Sequence, residues 1–212
     1  SVKDLTLQMP SGLLANAEAA LYRAKTDNRS GVLFFEPEMD KQLREKRALQ
    51  HDLKLALHNG ALALYYQPHA DMDGTVVGFE ALVRWHHPRQ GMVPPATFIP
   101  LAEESGLIMA LGEWILTAAC KEAASWPKPL RIAVNLSPVQ VQHGELVNRI
   151  HETLLATGLS PNRLEVEITE GVLIGDFSRA MAILRRIKNM GVRIAMDDFG
   201  TGYSSLSYLQ SF

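Results

Sequence analysis

The chain has 212 residues, and its 47% hydrophobic content against 21% charged is enough to bury a sizeable core. A net charge of -2, with no basic stripe, excludes a nucleic-acid polymer recognised by bulk charge. A lone cysteine, Cys120, excludes an internal disulfide framework, and no apolar run reaches the ~18 residues that span a membrane.

No signal peptide is visible, so the expectation is a cytoplasmic segment with no membrane contact of its own, in a protein that could carry an anchor elsewhere. Cys120 sits among helical apolar neighbours and reads as a core thiol.

The apolar spacing of Leu13, Ala17, Leu21 and Ala24 predicts a helix over 13–25, ended near Asn28. Residues 32–35 read as a short strand. One helix and one strand close no core, so this part is an appendage or the end of an upstream domain.

A polar helix follows over 37–58, with Met39, Leu43, Leu49, Leu53 and Leu57 as its apolar positions and Asn59-Gly60 as its stop. Its first part, 37–50, reads as a linker, and 51–212 as the next domain. A coiled-coil seam is the alternative, but Arg47 interrupts the spacing.

Strands are expected at 62–67 and 76–85, joined by the Asp71-Met72-Asp73-Gly74 turn into a hairpin. Helices are expected at 94–104 and 107–126, and a strand at 131–136. Ser137-Pro138 opens a single helix to about 157, since serine caps and proline suits the first position. A strand at 164–168, a helix at 177–189 capped by Asp176, and a strand at 193–196 complete the series. His86-His87, just before Pro88, read as a polar loop.

Strands that alternate with helices imply a parallel sheet covered by helices. The predicted elements hold about five strands, whereas a closed barrel of this class has eight strands and about 250 residues. The sheet is therefore open, or the chain is part of a barrel.

Polar residues recur at matching strand positions: Glu80 on the second predicted strand, Asn135 on the third, Glu167 on the fourth, Asp197 and Asp198 at the end of the fifth. A buried carboxylate is costly unless paired or bound to a metal. Each residue alone could be a surface or salt-bridged side chain; the set together points to a site. Oxygen donors without thiols suit Mg2+ or Mn2+, and five of them could hold two cations roughly 3.5–4 Å apart.

Two resemblances carry this further. Ala17-Glu18-Ala19-Ala20-Leu21-Tyr22-Arg23-Ala24-Lys25, with Arg29 and Phe34-Phe35, resembles the end of a GGDEF (diguanylate cyclase) domain, assigned to 1–36. Glu18 stands where that family usually has Asp and Asn28 where it has Gly. The signature loop is absent, so no cyclase activity follows.

Tyr65-Tyr66-Gln67-Pro68, Glu80-Ala81-Leu82-Val83-Arg84-Trp85, Asn135-Leu136-Ser137, Glu167-Ile168-Thr169-Glu170 and Asp197-Asp198-Phe199-Gly200-Thr201-Gly202-Tyr203-Ser204-Ser205-Leu206 resemble the motif series of EAL domains. These are bacterial signalling phosphodiesterases that cleave cyclic di-GMP to linear pGpG.

The resemblance implies an α/β fold, a modified TIM (β/α)8 barrel with an antiparallel first strand, C-terminally truncated in this chain. It implies that Glu80, Asn135, Glu167 and Asp197 bind a first metal, and that Asp197 and Asp198 reach a second. Glu80, Glu167, Asp197 and Asp198 would form the catalytic set. Arg84 would pair with a substrate phosphate, Gln67 and Leu82 would contact the nucleotide, and Glu170 would hold the loop 199–205. The family's lysine, later glutamate and last glutamine would lie beyond Phe212, so 1–212 alone is expected to be inactive, with strand 193–196 left unpaired on one side. A homodimer formed through the EAL domain is also expected. A cyclic di-GMP receptor without catalysis, and a regulatory or assembly role in which the barrel dimerises, are the competing expectations.

Overall fold

A computed structural model describes residues 10–26, 34–173 and 176–197. The chain divides into two compact units, Ser1–Asp52 and Leu53–Phe212.

In the first unit, helix α1 spans Pro10–Thr26 and helix α2 begins at Pro37, running on to Asn59. Both start on proline, whose missing N–H is no loss in a first turn. Ala20, Met39 and Leu43 form a small buried cluster, with Tyr22 and Phe35 packed against it. Arg47, the residue that breaks a coiled-coil spacing, lies 3.6 Å from Glu18 in an exposed ion pair. The strand expected at 32–35 is not found at its described end: Phe34 and Phe35 are in no strand, and 32–33 lie outside the described residues. A strand needs a neighbour for its backbone groups, and this unit offers none among its described residues.

The second unit is a six-stranded sheet backed by helices. Strands β1 (Leu62–Ala70) and β2 (Val76–His87) form the expected antiparallel hairpin. Its turn closes through Asp71, which bonds Thr75 by both backbone and side chain, with Gly74 in the left-handed region. Beyond Trp85 the structure departs from expectation. His86 and His87 are strand residues, paired with Met92 and Gly91 of a short strand β3 (Gly91–Val93). The buried His87 ring makes this possible, because its Nδ1 accepts from the backbone N–H groups of Arg89 and Gln90 and so closes the turn.

Helices α3 (Pro95–Ser105) and α4 (Ile108–Ser125) lead to β4 (Arg131–Leu136). Next come α5 (Pro138–Gln142) and α6 (Leu146–Thr157), then β5 (Leu164–Thr169), α7 (Phe177–Asn189) and β6 (Arg193–Asp197). The single helix expected after Ser137 is thus two. His143 takes an extended conformation and Gly144, a poor helix former, follows it, while the Gln140 side chain turns back to complete the Ser137 capping box.

The order is β1-β2-β4-β5-β6, parallel from β2 onward, with β3 attached to β2. The architecture is α/β, a barrel-type arrangement whose first strand runs antiparallel. Among the described residues the sheet is open, with β1 and β6 at its edges.

Ala81, Val83, Trp85, Ile132, Val134, Leu136, Leu164, Val166 and Ile168 are all buried on one face. The helices cover them with Phe98, Leu111, Ile115, Ile150, Leu184 and Ile187. Cys120 belongs to this core, fully buried, and its thiol is pushed up to about 12 by burial, which keeps it protonated and inert. No helix among the described residues is long and apolar enough to cross a membrane.

Candidate active site

The opposite face of the sheet carries the polar residues, and strand register brings them together. Residues directly opposite each other in a ladder share a face, as do alternate residues along a strand. Gln67 lies opposite Glu80, and Leu82 and Arg84 follow Glu80 at alternate positions. Glu80 lies opposite Ala133, two residues before Asn135. Asn135 lies opposite Glu167. Thr169, two after Glu167, lies opposite Asp197. Gln67, Glu80, Leu82, Arg84, Asn135, Glu167 and Asp197 therefore share one face. Asp197 is the last residue of β6, one later than the sequence pattern ends that strand. Asp198, the loop 199–205 and the Glu170 side chain lie outside the described residues.

Side chains link these strands across the sheet. Asn135 Nδ2 donates to Glu80 Oε1 at 2.7 Å, although 55 residues separate them in sequence. Arg84 Nη1 donates to the carbonyl of Val83 at 2.9 Å, and its guanidinium lies 5.6 Å from the centroid of the Tyr65 ring. Both restraints narrow the positions its positive end can take. Leu82, Arg84, Asn135 and Thr169 line a common cavity of about 370 Å³. Gln67 is not among its lining residues.

Glu167 is the centre of charge. It is buried, and its proton affinity is raised to about 7, first by lost hydration and then by the negative charges of Glu80, Asp197 and Glu165. Carboxylates that crowd together in this way either share protons or take up a cation. Carboxylate oxygens are hard donors of the kind that hold a divalent cation, and the set fits such an ion.

Two neighbours are not in the motif series. His69 Nε2 lies 3.9 Å from Glu80 Oε2. Ligand atoms of His69, Glu165 and Glu167 lie within 4.8 Å of one another. Glu165 is itself flanked by Arg131 at 3.9 Å and Arg193 at 3.7 Å, which offset its charge. Simple alternation would have found both residues: His69 is two from Gln67, and Glu165 two from Glu167.

The pattern of residues over 49–212 matches the family model described as the EAL domain. The chain belongs to the EAL family. An uncharacterised signalling protein of Caulobacter vibrioides is 59% identical over 201 residues, covering 94% of this chain and 25% of that protein. The bifunctional diguanylate cyclase/cyclic di-GMP phosphodiesterase MucR of Pseudomonas aeruginosa is 44% identical over 203 residues, covering 93% of this chain and 30% of MucR. A solved structure of the MucR phosphodiesterase in complex with c-di-GMP superposes with a TM-score of 0.74 at 44% identity, covering 78% of this chain and 69% of that one. The chain thus spans about a quarter to a third of the curated relatives' length. The alignments to both relatives reach well upstream of residue 49, where the EAL match begins.

Proposed function

We propose that this EAL domain hydrolyses cyclic di-GMP to linear pGpG with the help of Mg2+ or Mn2+. The observation that carries the reading is the convergence of Glu80, Asn135, Glu167 and Asp197 on one sheet face, with Glu167 raised to about 7 by burial and then by the negative charges around it. That they are bound by a cation is our inference from the donor chemistry. The similarity to MucR supports cyclic di-GMP as the substrate.

In this reading Glu80, Asn135, Glu167 and Asp197 hold one cation, and Asp197 with Asp198 contributes to a second. Bound there, the cations would supply Lewis-acid charge stabilisation to the phosphodiester. Arg84, already aimed by Val83 and Tyr65, offers its free N–H groups to a substrate phosphate, a geometry guanidinium suits. Leu82 presents an apolar side chain to the cavity and Gln67 an amide beside Glu80, and both are assigned to the nucleotide. Glu170 is assigned to the loop 199–205. Glu167 must release its proton before a cation can bind, so cation binding and proton release are coupled.

The upstream match to MucR also supports reading 1–36 as the end of a GGDEF domain and 37–50 as a linker.

The test is turnover of cyclic di-GMP by the full-length protein with Mn2+, with and without chelator, and with Glu80→Ala. Cleavage should depend on the cation, and Glu80→Ala should abolish it while the circular dichroism spectrum stays parental. Full turnover in chelator would refute the assignment.

A further inference from the structure

Asn135 reaches Glu80 from one residue beyond the last register pair of β4 with β2. The β2–β4 ladder runs from Gly78↔Arg131 to Ala81↔Val134 and stops there. Asn135 is the next residue, one beyond that register, and its amide is bonded to Glu80 across to β2. A second link to β2 starts two residues on. Ser137 Oγ donates to Glu103 Oε1 at 2.6 Å. Glu103 stands in the last turns of α3, and α3 is anchored on β2 by an edge-to-face contact of Phe98 with Trp85, centroids 5.6 Å apart.

The same serine is held from a second direction. Its backbone N–H donates to Gln140 Oε1 at 3.0 Å, and its Oγ accepts from the N–H of Val139 at 3.2 Å. Gln140 is buried, and its amide occupies the space that any side chain on α4 would need at Gly112: a Cβ there would stand 1.9 Å from Gln140 Nε2. Gly112 is in ordinary helical backbone, so the helix does not need glycine for its own sake; the close approach of Gln140 does.

We propose that Glu103, Ser137 and Gln140, seated on Gly112, form a latch that fixes the end of β4 relative to β2 and so sets the placement of Asn135 beside Glu80. Glu103 and Gln140 are positioning residues for the oxygen cluster and do not belong to it. The inference rests on the cation reading of that cluster.

The experiment measures Mn2+ binding by calorimetry in the full-length protein, with thermal melts of each variant. Glu103→Ala should weaken Mn2+ binding about tenfold, the lower end for groups that orient ligands from outside the coordination shell. It should lower kcat for cyclic di-GMP while leaving KM within about twofold. Glu103→Gln keeps an oxygen that accepts from Ser137 and should restore Mn2+ affinity to within about threefold. Gly112→Ala, which displaces Gln140 by steric conflict, should weaken Mn2+ binding in the same direction as Glu103→Ala. A Glu103→Ala protein that binds Mn2+ as the parent does, whatever its melting temperature, overturns the latch. So does a Glu103→Gln protein as impaired as Glu103→Ala. Glu80→Ala separates the two levels of failure. If it too leaves Mn2+ binding unchanged, the cation reading itself has failed; if it abolishes binding and Glu103→Ala does not weaken it, only the latch has.

Discussion

A carboxylate at position 167 loses water on folding and gains three negative neighbours. The proton it keeps as a result has a consequence for stability. Its value in the folded chain is about 7 against an ordinary 4.5, so between these limits the folded state of the cation-free protein binds more protons than the unfolded state. The stabilisation is complete below about pH 4.5 and is lost as the pH rises through about 7. Melting temperatures measured in chelator should therefore fall across that window, and Glu167→Gln, which cannot titrate, should flatten the fall. If the variant keeps the parental slope, Glu167 is not the group responsible. At the same scale, Arg84→Ala should weaken cyclic di-GMP binding by about 1.5–3 kcal/mol, the range for a charge-assisted hydrogen bond. Unchanged affinity in calorimetry, with a lower melting temperature, would make Arg84 a structural residue.

Among the elements, the junction of β2 and β4 is the most exacting. It joins the antiparallel hairpin to the parallel part of the sheet, and Gly78 permits the close approach there. A Cβ at 78 would stand 2.8 Å from the carbonyl oxygen of Arg131, which is backbone and cannot swing aside. Gly78→Ala should cost about 1–3 kcal/mol, as overpacking does in a tight interior. Because Glu80 follows two residues later, the variant should also lose phosphodiesterase activity beyond its loss of folded protein. Urea titration and activity per folded molecule would check both, and a variant as stable as the parent would show that the strands can separate to admit a methyl group. Nothing local in the sequence marks this glycine: its φ is unremarkable, and the pressure on it comes from β4, 53 residues away.

For the molecule as a whole, the proposed cation site would make folding and cation binding one equilibrium. At a free Mn2+ concentration 100 times its Kd, binding contributes about 2.7 kcal/mol to stability. For a chain of this size that corresponds to a rise of roughly 5–10 °C in melting temperature. The rise should disappear in Glu80→Ala and grow from pH 6 to pH 8 as Glu167 gives up its proton. Ca2+, which prefers longer bonds and more ligands, should stabilise the fold without supporting turnover. Equal melting temperatures with Mn2+ and with chelator at pH 8 would remove the cation from this cluster.

Much of this was legible in the chain before any coordinates. Short apolar strand segments that alternate with segments of helical spacing determined the α/β order, because burial dictates a period near four in the helices that cover the sheet. The carboxylates and Asn135 stood out because polar groups inside such strands need partners. What the chain could not state was anything that depends on residues far apart in sequence. The turn that makes His86 and His87 strand residues needs the His87 ring to accept two backbone N–H groups. The place of His69 beside Glu80 depends on the hairpin register, and that of Glu165 between two arginines on the alignment of three strands. Glu103 joins the site's surroundings only because α3 lies on β2, which brings it to a serine 34 residues further on. Local pattern decides which elements form, since it follows from each segment's own burial. Register and packing decide which side chains meet, and those exist only once the sheet has assembled.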